Sequence, residues 1–248
     1  MLASLLVIFN RMGIFSRNKK KEMNQDFEVF KSEISWFLNP NAKIEFQKQK
    51  EMRLSEEFKA TFPKLTELIL KSRQTYLMVD NINYILFAWD TLDNQICGWL
   101  NQQETEEEYK CELIEEHEFL LRNIGGIRES FNQPEDSFSN NQNFMFIGSE
   151  CSRGMGDWGN YYSMTCEEEG KNQIDYSNLL AFAYEANGAL TLYDPLIKKV
   201  FLFSHDHSFE NVESMENQPE YTFYTFKNVE TFENYVEALA QEWEEIVK

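Results

Sequence analysis

Apolar residues recur at helical spacing along the first third of the chain. Phe27, Phe30, Ile34 and Phe37 lie three and four positions apart, which predicts one face of a helix, and Asn39-Pro40 stops it. Phe58, Phe62, Leu65, Leu68 and Ile69 predict a second helical run, in which Pro63 marks a break or a fresh first turn. The segment Tyr76 to Trp89 contains Tyr84-Ile85-Leu86-Phe87, which fits a buried strand or a helix and is read as helix. Asp26 to about Leu100 is therefore expected to be mostly helical.

The polar stretch Asn101 to Glu108 then reads as a boundary. Beyond it Tyr109, Leu113, His117, Leu120, Leu121 and Ile124 mark one face of a helix whose other face is rich in glutamate, and Gly125-Gly126 is expected to end it in a left-handed cap. Phe144 to Ile147, Leu190 to Tyr193, Val200 to Phe203 and Tyr221 to Phe226 are aromatic and β-branched enough to predict strands. Asn187-Gly188 and Asp194-Pro195 supply turns, so the second and third of these should pair antiparallel. Ser177 to Glu185 reads as a short helix, and Phe232, Tyr235, Val236, Leu239, Trp243 and Ile246 outline a closing amphipathic helix. The expected fold is α+β, a mostly antiparallel sheet flanked by helices and preceded by a helical amino-terminal region. Its parts are a tail over residues 1–22, a helical accessory region over 23–103 and an α+β domain over 104–248.

Length and composition allow a proper core, since 42% of the 248 residues are hydrophobic. Charge changes the functional picture more. Forty-two acidic against 23 basic residues leave a formal net charge of −19, which repels nucleic acid and anionic lipid and steers basic proteins toward the surface. Cys97, Cys111, Cys151 and Cys166 are irregularly spaced, with no C-x-x-C pair, which fits a reducing, cytoplasmic compartment better than a disulfide framework. Met1 to Phe9 is apolar but too short to span a bilayer, and the basic residues Arg11 to Lys21 follow it, where a signal peptide carries its charges in front. A start assigned too early, with Met12 or Met23 as the true one, accounts for this.

Two local patterns could carry chemistry. Gly154, Gly156 and Gly159 spell G-x-G-x-x-G, but several residues separate them from the preceding strand and Asp157 lies inside, so the pattern reads as a glycine-rich loop and no cofactor is expected. His205-Asp206-His207 would place both imidazoles on one strand face, with Glu210 as a third ligand, and a divalent-metal enzyme built on His205, His207 and Glu210 is the alternative to a binding protein. His117 reads as a satisfied core or boundary histidine. The chain carries no G-x-S-x-G elbow, P-loop, H-E-x-x-H or Cys/His signature, so binding is favoured over catalysis.

The order of motifs in the carboxy-terminal part resembles the SUKH superfamily, which includes the Smi/Knr-type regulators of yeast cell-wall synthesis and many bacterial immunity proteins. The resemblance runs through Leu120 to Ile127, Phe144 to Gly148, Asn187-Gly188 leading to Leu192-Tyr193-Asp194, Val200 to Asp206 and the Phe232 to Trp243 helix. It implies a protein-binding module, often one that neutralises a toxin, commonly a nuclease. An acidic binder can cover a basic nuclease face with fast, steered association. The expected partner is thus a basic protein, a toxin domain, with neither nucleic acid nor membrane involved. Asp157, Trp158, Tyr161, Tyr162, Asp206 and Glu210, which join aromatic anchors to carboxylates, are the expected contacts. A regulatory scaffold, as the yeast relatives suggest, remains a further alternative.

Overall fold

The computed structural model describes residues 25–47, 52–135, 142–206 and 211–248. The chain is α+β, built on a 12-stranded sheet in which every strand pair is antiparallel. The strands are β1 (Ile44–Phe46), β2 (Arg73–Val79), β3 (Ile82–Asp90), β4 (Ile96–Gln103), β5 (Gly126–Phe131), β6 (Gln142–Met145) and β7 (Ser152–Arg153), then β8 (Leu180–Glu185), β9 (Leu190–Tyr193), β10 (Val200–Phe203), β11 (Val212–Ser214) and β12 (Phe223–Phe226). Their spatial order is β1-β2-β3-β4-β5-β6-β8-β9-β10-β12-β11, with β7 also paired to β8. The helices are α1 (25–33), α2 (Glu56–Thr61), α3 (Pro63–Lys71), α4 (Glu115–Ile124), α5 (Trp158–Glu169) and α6 (Phe232–Ile246).

Residues 73–103 are strands and not helix, which corrects the reading of Tyr76 to Trp89. For β3 the reason is burial on both faces. Along β3, Ile85, Phe87 and Trp89 enter one core while Tyr84 and Leu86 enter another, so the strand shows an unbroken apolar run and no period of two. Asp80 and Asn81, with φ of 48° and 72°, form the two-residue turn that sets Val79 opposite Ile82, a hairpin geometry needing left-handed backbone at both positions. The same cause corrects Ser177 to Glu185, whose second part is β8: Leu180 and Phe182 face one core and Ala181 the other. The polar stretch after Leu100 holds the end of β4, which pairs with β5, so the sheet runs on across it.

One sheet face is covered by α2, α3, α4 and α6. Pro63 opens α3 as a new first turn, and Glu237 of α6 accepts the Lys64 and Leu65 amides at 2.9 and 3.2 Å, fixing the two helices together. Beneath them Trp89, Trp99 and Trp243 pack with ring centroids 5.1 to 5.7 Å apart. Gly125 ends α4 with φ 75° as expected, but its ψ of 177° sends the chain straight into β5 and not into a left-handed cap. The other face is covered at its two ends. There α1 lays Phe27 and Phe30 on Leu77, Leu86, Leu100 and Phe131, and α5 lays Tyr162 and Cys166 on Leu192, Phe203 and Phe223. Between these two ends, Asn143 and Phe144 of β6 line cavities on that face that no helix among the described residues fills.

Candidate binding surface

Strand alternation builds the first part of the site. Phe201 and Phe203 of β10 point to the α5 side, and the next residue of that series, His205, follows them there. Its imidazole stacks on the Trp158 indole, centroids 4.0 Å apart and planes at 26°. Tyr161, one helical turn further along α5, sets its ring at 85° to that of Trp158 and donates its hydroxyl to the His205 carbonyl at 3.3 Å. Trp158 can lie this low because the Asn187-Gly188 turn passes beneath it: a Cβ on Gly188, whose φ is 100°, would stand 2.8 Å from the indole. Asp157 and Asp206 are exposed beside the stack, and the Asp206 carboxylate is 3.8 Å from His205 Nε2. The result is a half-buried aromatic and imidazole surface edged with carboxylates.

Four of the expected contacts therefore converge: Asp157, Trp158, Tyr161 and Asp206. Tyr162 does not join them. Adjacent helical positions diverge by about 100°, so with Tyr161 directed at His205 its neighbour turns inward. Tyr162 is fully buried against Tyr176 and Phe223, donates to Gln218 and accepts the Ile174 amide, and burial raises its hydroxyl pKa. Glu210 and His207 lie outside the described residues. Among the described residues His205 Nδ1 is buried without a hydrogen-bond partner, and no group of three His, Cys, Asp or Glu is placed to hold a metal ion. The glycine-rich loop uses its own amides: Gly154, Trp158 and Gly159 donate to the carbonyls of Leu179, Met155 and Gly156 at 2.8, 3.1 and 3.2 Å.

His117 is a core residue. Its Nε2 donates to the Phe146 carbonyl at 2.7 Å, which leaves Nδ1 to accept from the Tyr193 hydroxyl at 3.3 Å, while that hydroxyl accepts the Ile114 amide at 3.4 Å. Phe146, Phe182, Tyr193 and Phe232 surround the ring. Desolvation lowers its pKa to about 4, so the imidazole is neutral and structural.

The open middle of the sheet forms the second part of the site, which the sequence did not reveal. A cavity of about 620 Å³ runs from Asp157 and Trp158 over Phe144 and Tyr184 to Asn143, and a second of about 570 Å³ continues from Asn143 past Glu129 to Trp36, just beyond α1. Phe144 and Tyr184 lie side by side across β6 and β8, 6.4 Å apart and within 6° of parallel. Arg128 is held by Glu150 at 3.0 Å and by the Gln102 side-chain oxygen at 2.9 Å. Burial pushes the Glu129 carboxyl up to about 7, against the opposing influence of the neighbouring Trp36 side chain and of the Arg128 charge. These residues come from the segment just beyond α1, from β5, β6 and β8 and from the start of α5, and only the topology unites them.

Comparison with protein-family models, with curated proteins and with solved structures returned no significant match. Among the described residues no helix is long and apolar enough to cross a membrane.

Proposed function

We propose that this chain is a non-catalytic, acidic protein-binding module of the SUKH type, acting in the cytoplasm as an immunity protein against a basic, nuclease-type toxin. The observation that carries the reading is the Trp158, Tyr161 and His205 surface edged by Asp157 and Asp206, on a chain of net charge −19. Aromatic anchors beside carboxylates are the composition of an interface hot spot facing a basic partner. A nuclease has such a face because it must attract phosphate, and carboxylates placed in loops imitate phosphate charge. The order of elements supports the SUKH assignment: a helix closed by Gly125-Gly126 leads into β5, the Asn187-Gly188 turn opens β9, Asp194 precedes β10, and α6 ends the chain. The buried imidazole of His117 and the engaged amides of the glycine-rich loop are structural.

Co-expression tests it. The chain is produced together with each basic nuclease domain encoded beside its gene, and growth, residual nuclease activity and co-purification are measured. One domain should be neutralised in a stoichiometric complex whose association slows as salt rises. Failure to neutralise any of them overturns the reading.

A further inference from the structure

The geometry points to an arginine-receiving groove on the open middle of the sheet, between α1 and α5, in which Glu129 takes the guanidinium of the partner and Trp36 and Trp158 hold the inserted segment at its two ends. This rests on the proposed protein-binding function and names the surface and the side-chain chemistry it recognises.

Room comes first. The two cavities share Asn143 in their walls, so one trough runs from the aromatic stack at α5 to just past α1, over a stretch of sheet that no helix among the described residues fills. Its charge selects a cation. Glu33, Glu129, Glu150 and Asp157 line it against a single basic residue, Arg128, whose guanidinium is already held by Glu150 and Gln102. Glu129 and Trp36 line the same cavity. Burial makes the charged form of that carboxylate costly, and an incoming cation with donors directed at it would remove the cost.

The walls favour arginine over lysine. A guanidinium is planar, stacks on aromatic faces, and binds carboxylates through a fixed fork of donors, whereas an ammonium is a strongly hydrated point charge. Trp36 is 71% exposed and lines the cavity beside Glu129, where its ring can cover a guanidinium bound to that carboxylate. Phe144 and Tyr184 supply a flat, half-buried floor for the rest of the segment.

The test uses the full chain, labelled with nitrogen-15, titrated with N-acetyl-arginine amide and, separately, with N-acetyl-citrulline amide, which has nearly the same shape and no charge. The indole N–H signals of Trp36 and Trp158 and the side-chain amide of Asn143 are followed, with buried Trp89, Trp99 and Trp243 as internal references. Saturable shifts at Trp36 and Asn143 are expected with the arginine probe. They should be about five- to tenfold weaker with the citrulline probe and in Glu129→Gln, as the loss of one charge-assisted contact requires. Trp36→Ala, which removes an exposed side chain and leaves the core intact, should weaken binding as well. Equal response to both probes, or shifts spread over the acidic helix faces with no preference for the groove, overturns the site. The two readings separate cleanly. Neutralisation of a toxin that is undiminished by Glu129→Gln and Trp36→Ala removes the groove and leaves the binding function, whereas saturable arginine binding with no toxin neutralised leaves the groove and removes the immunity function.

Discussion

His117 is fully buried and Glu129 half-buried, and the two move stability in opposite directions with pH. The His117 imidazole is held at about 4 in the folded chain against 6.5 when free. Between those values the unfolded chain binds the extra proton, so this stability is complete above about pH 6.5 and is lost as pH falls through 4; the full shift corresponds to about 3 kcal/mol. Glu129, pushed up to about 7 from 4.5, does the reverse: its folded form holds the proton, so its contribution is present below about pH 4.5 and is lost as pH rises through 7. Over the same window the two slopes oppose one another. Urea midpoints measured from pH 4.5 to 7.5 should therefore rise more steeply with pH in Glu129→Gln than in the wild type. In His117→Gln, which keeps a donor for the Phe146 carbonyl but does not titrate, they should flatten or turn over. Parallel curves for all three proteins would contradict these placements of the two groups.

Two glycines at element junctions separate a backbone joint from a side-chain rest. A Cβ on Gly125, at φ 75°, would stand 2.3 Å from the Gln102 carbonyl oxygen, so Gly125→Ala sets strained backbone against backbone that cannot yield and should cost about 3 kcal/mol by chemical denaturation. Gly188→Ala meets the movable Trp158 ring, 2.8 Å away, and should cost about 1 to 2 kcal/mol while lifting the indole off His205, seen as a change in tryptophan fluorescence. How much could be read from the sequence follows the same line between local and assembled features. The α+β class, the β9-β10 pair and α6 were legible because a turn signal or an amphipathic period marks each one. β3 and β8 were not, since both their faces are buried and the period of two vanishes; β2 keeps an alternation, with Thr75, Leu77 and Val79 buried between half-buried neighbours, and turn chemistry such as Asp80-Asn81 could have revealed its hairpin with β3. At the site, Trp158, Tyr161 and Asp206 could be named as loop and helix-end residues, but not which of two adjacent tyrosines faced outward. The groove was invisible, because Trp36, Glu129 and Trp158 meet only through strand order.

Charge and sheet continuity are properties of the whole molecule. A net charge of −19 means that the folded chain repels itself, and the ion pairs found at its surface are mostly exposed and of small individual value. Added sodium chloride should accordingly raise the thermal midpoint while slowing association with a basic partner, a pairing of effects that a neutral binder would not show. Continuity bears on whether the carboxy-terminal part stands alone. β4 pairs with β3 on one side and β5 on the other, Trp243 of α6 packs on Trp89 and Trp99, and Phe119 of α4 packs on Phe58 at 5.6 Å. A fragment of residues 104–248 would therefore expose the β5 edge and the tryptophan-binding face of α6 together. It should lose near-ultraviolet circular dichroism, bind a hydrophobic dye and aggregate, because an uncovered strand edge beside apolar surface is a template for pairing. The intact chain should unfold in one transition, with near- and far-ultraviolet signals coinciding. A fragment that folds cooperatively by itself would show instead that the sheet is two self-sufficient halves joined edge to edge at β4 and β5, and the groove, whose walls come from both, would then depend on how firmly that joint is held.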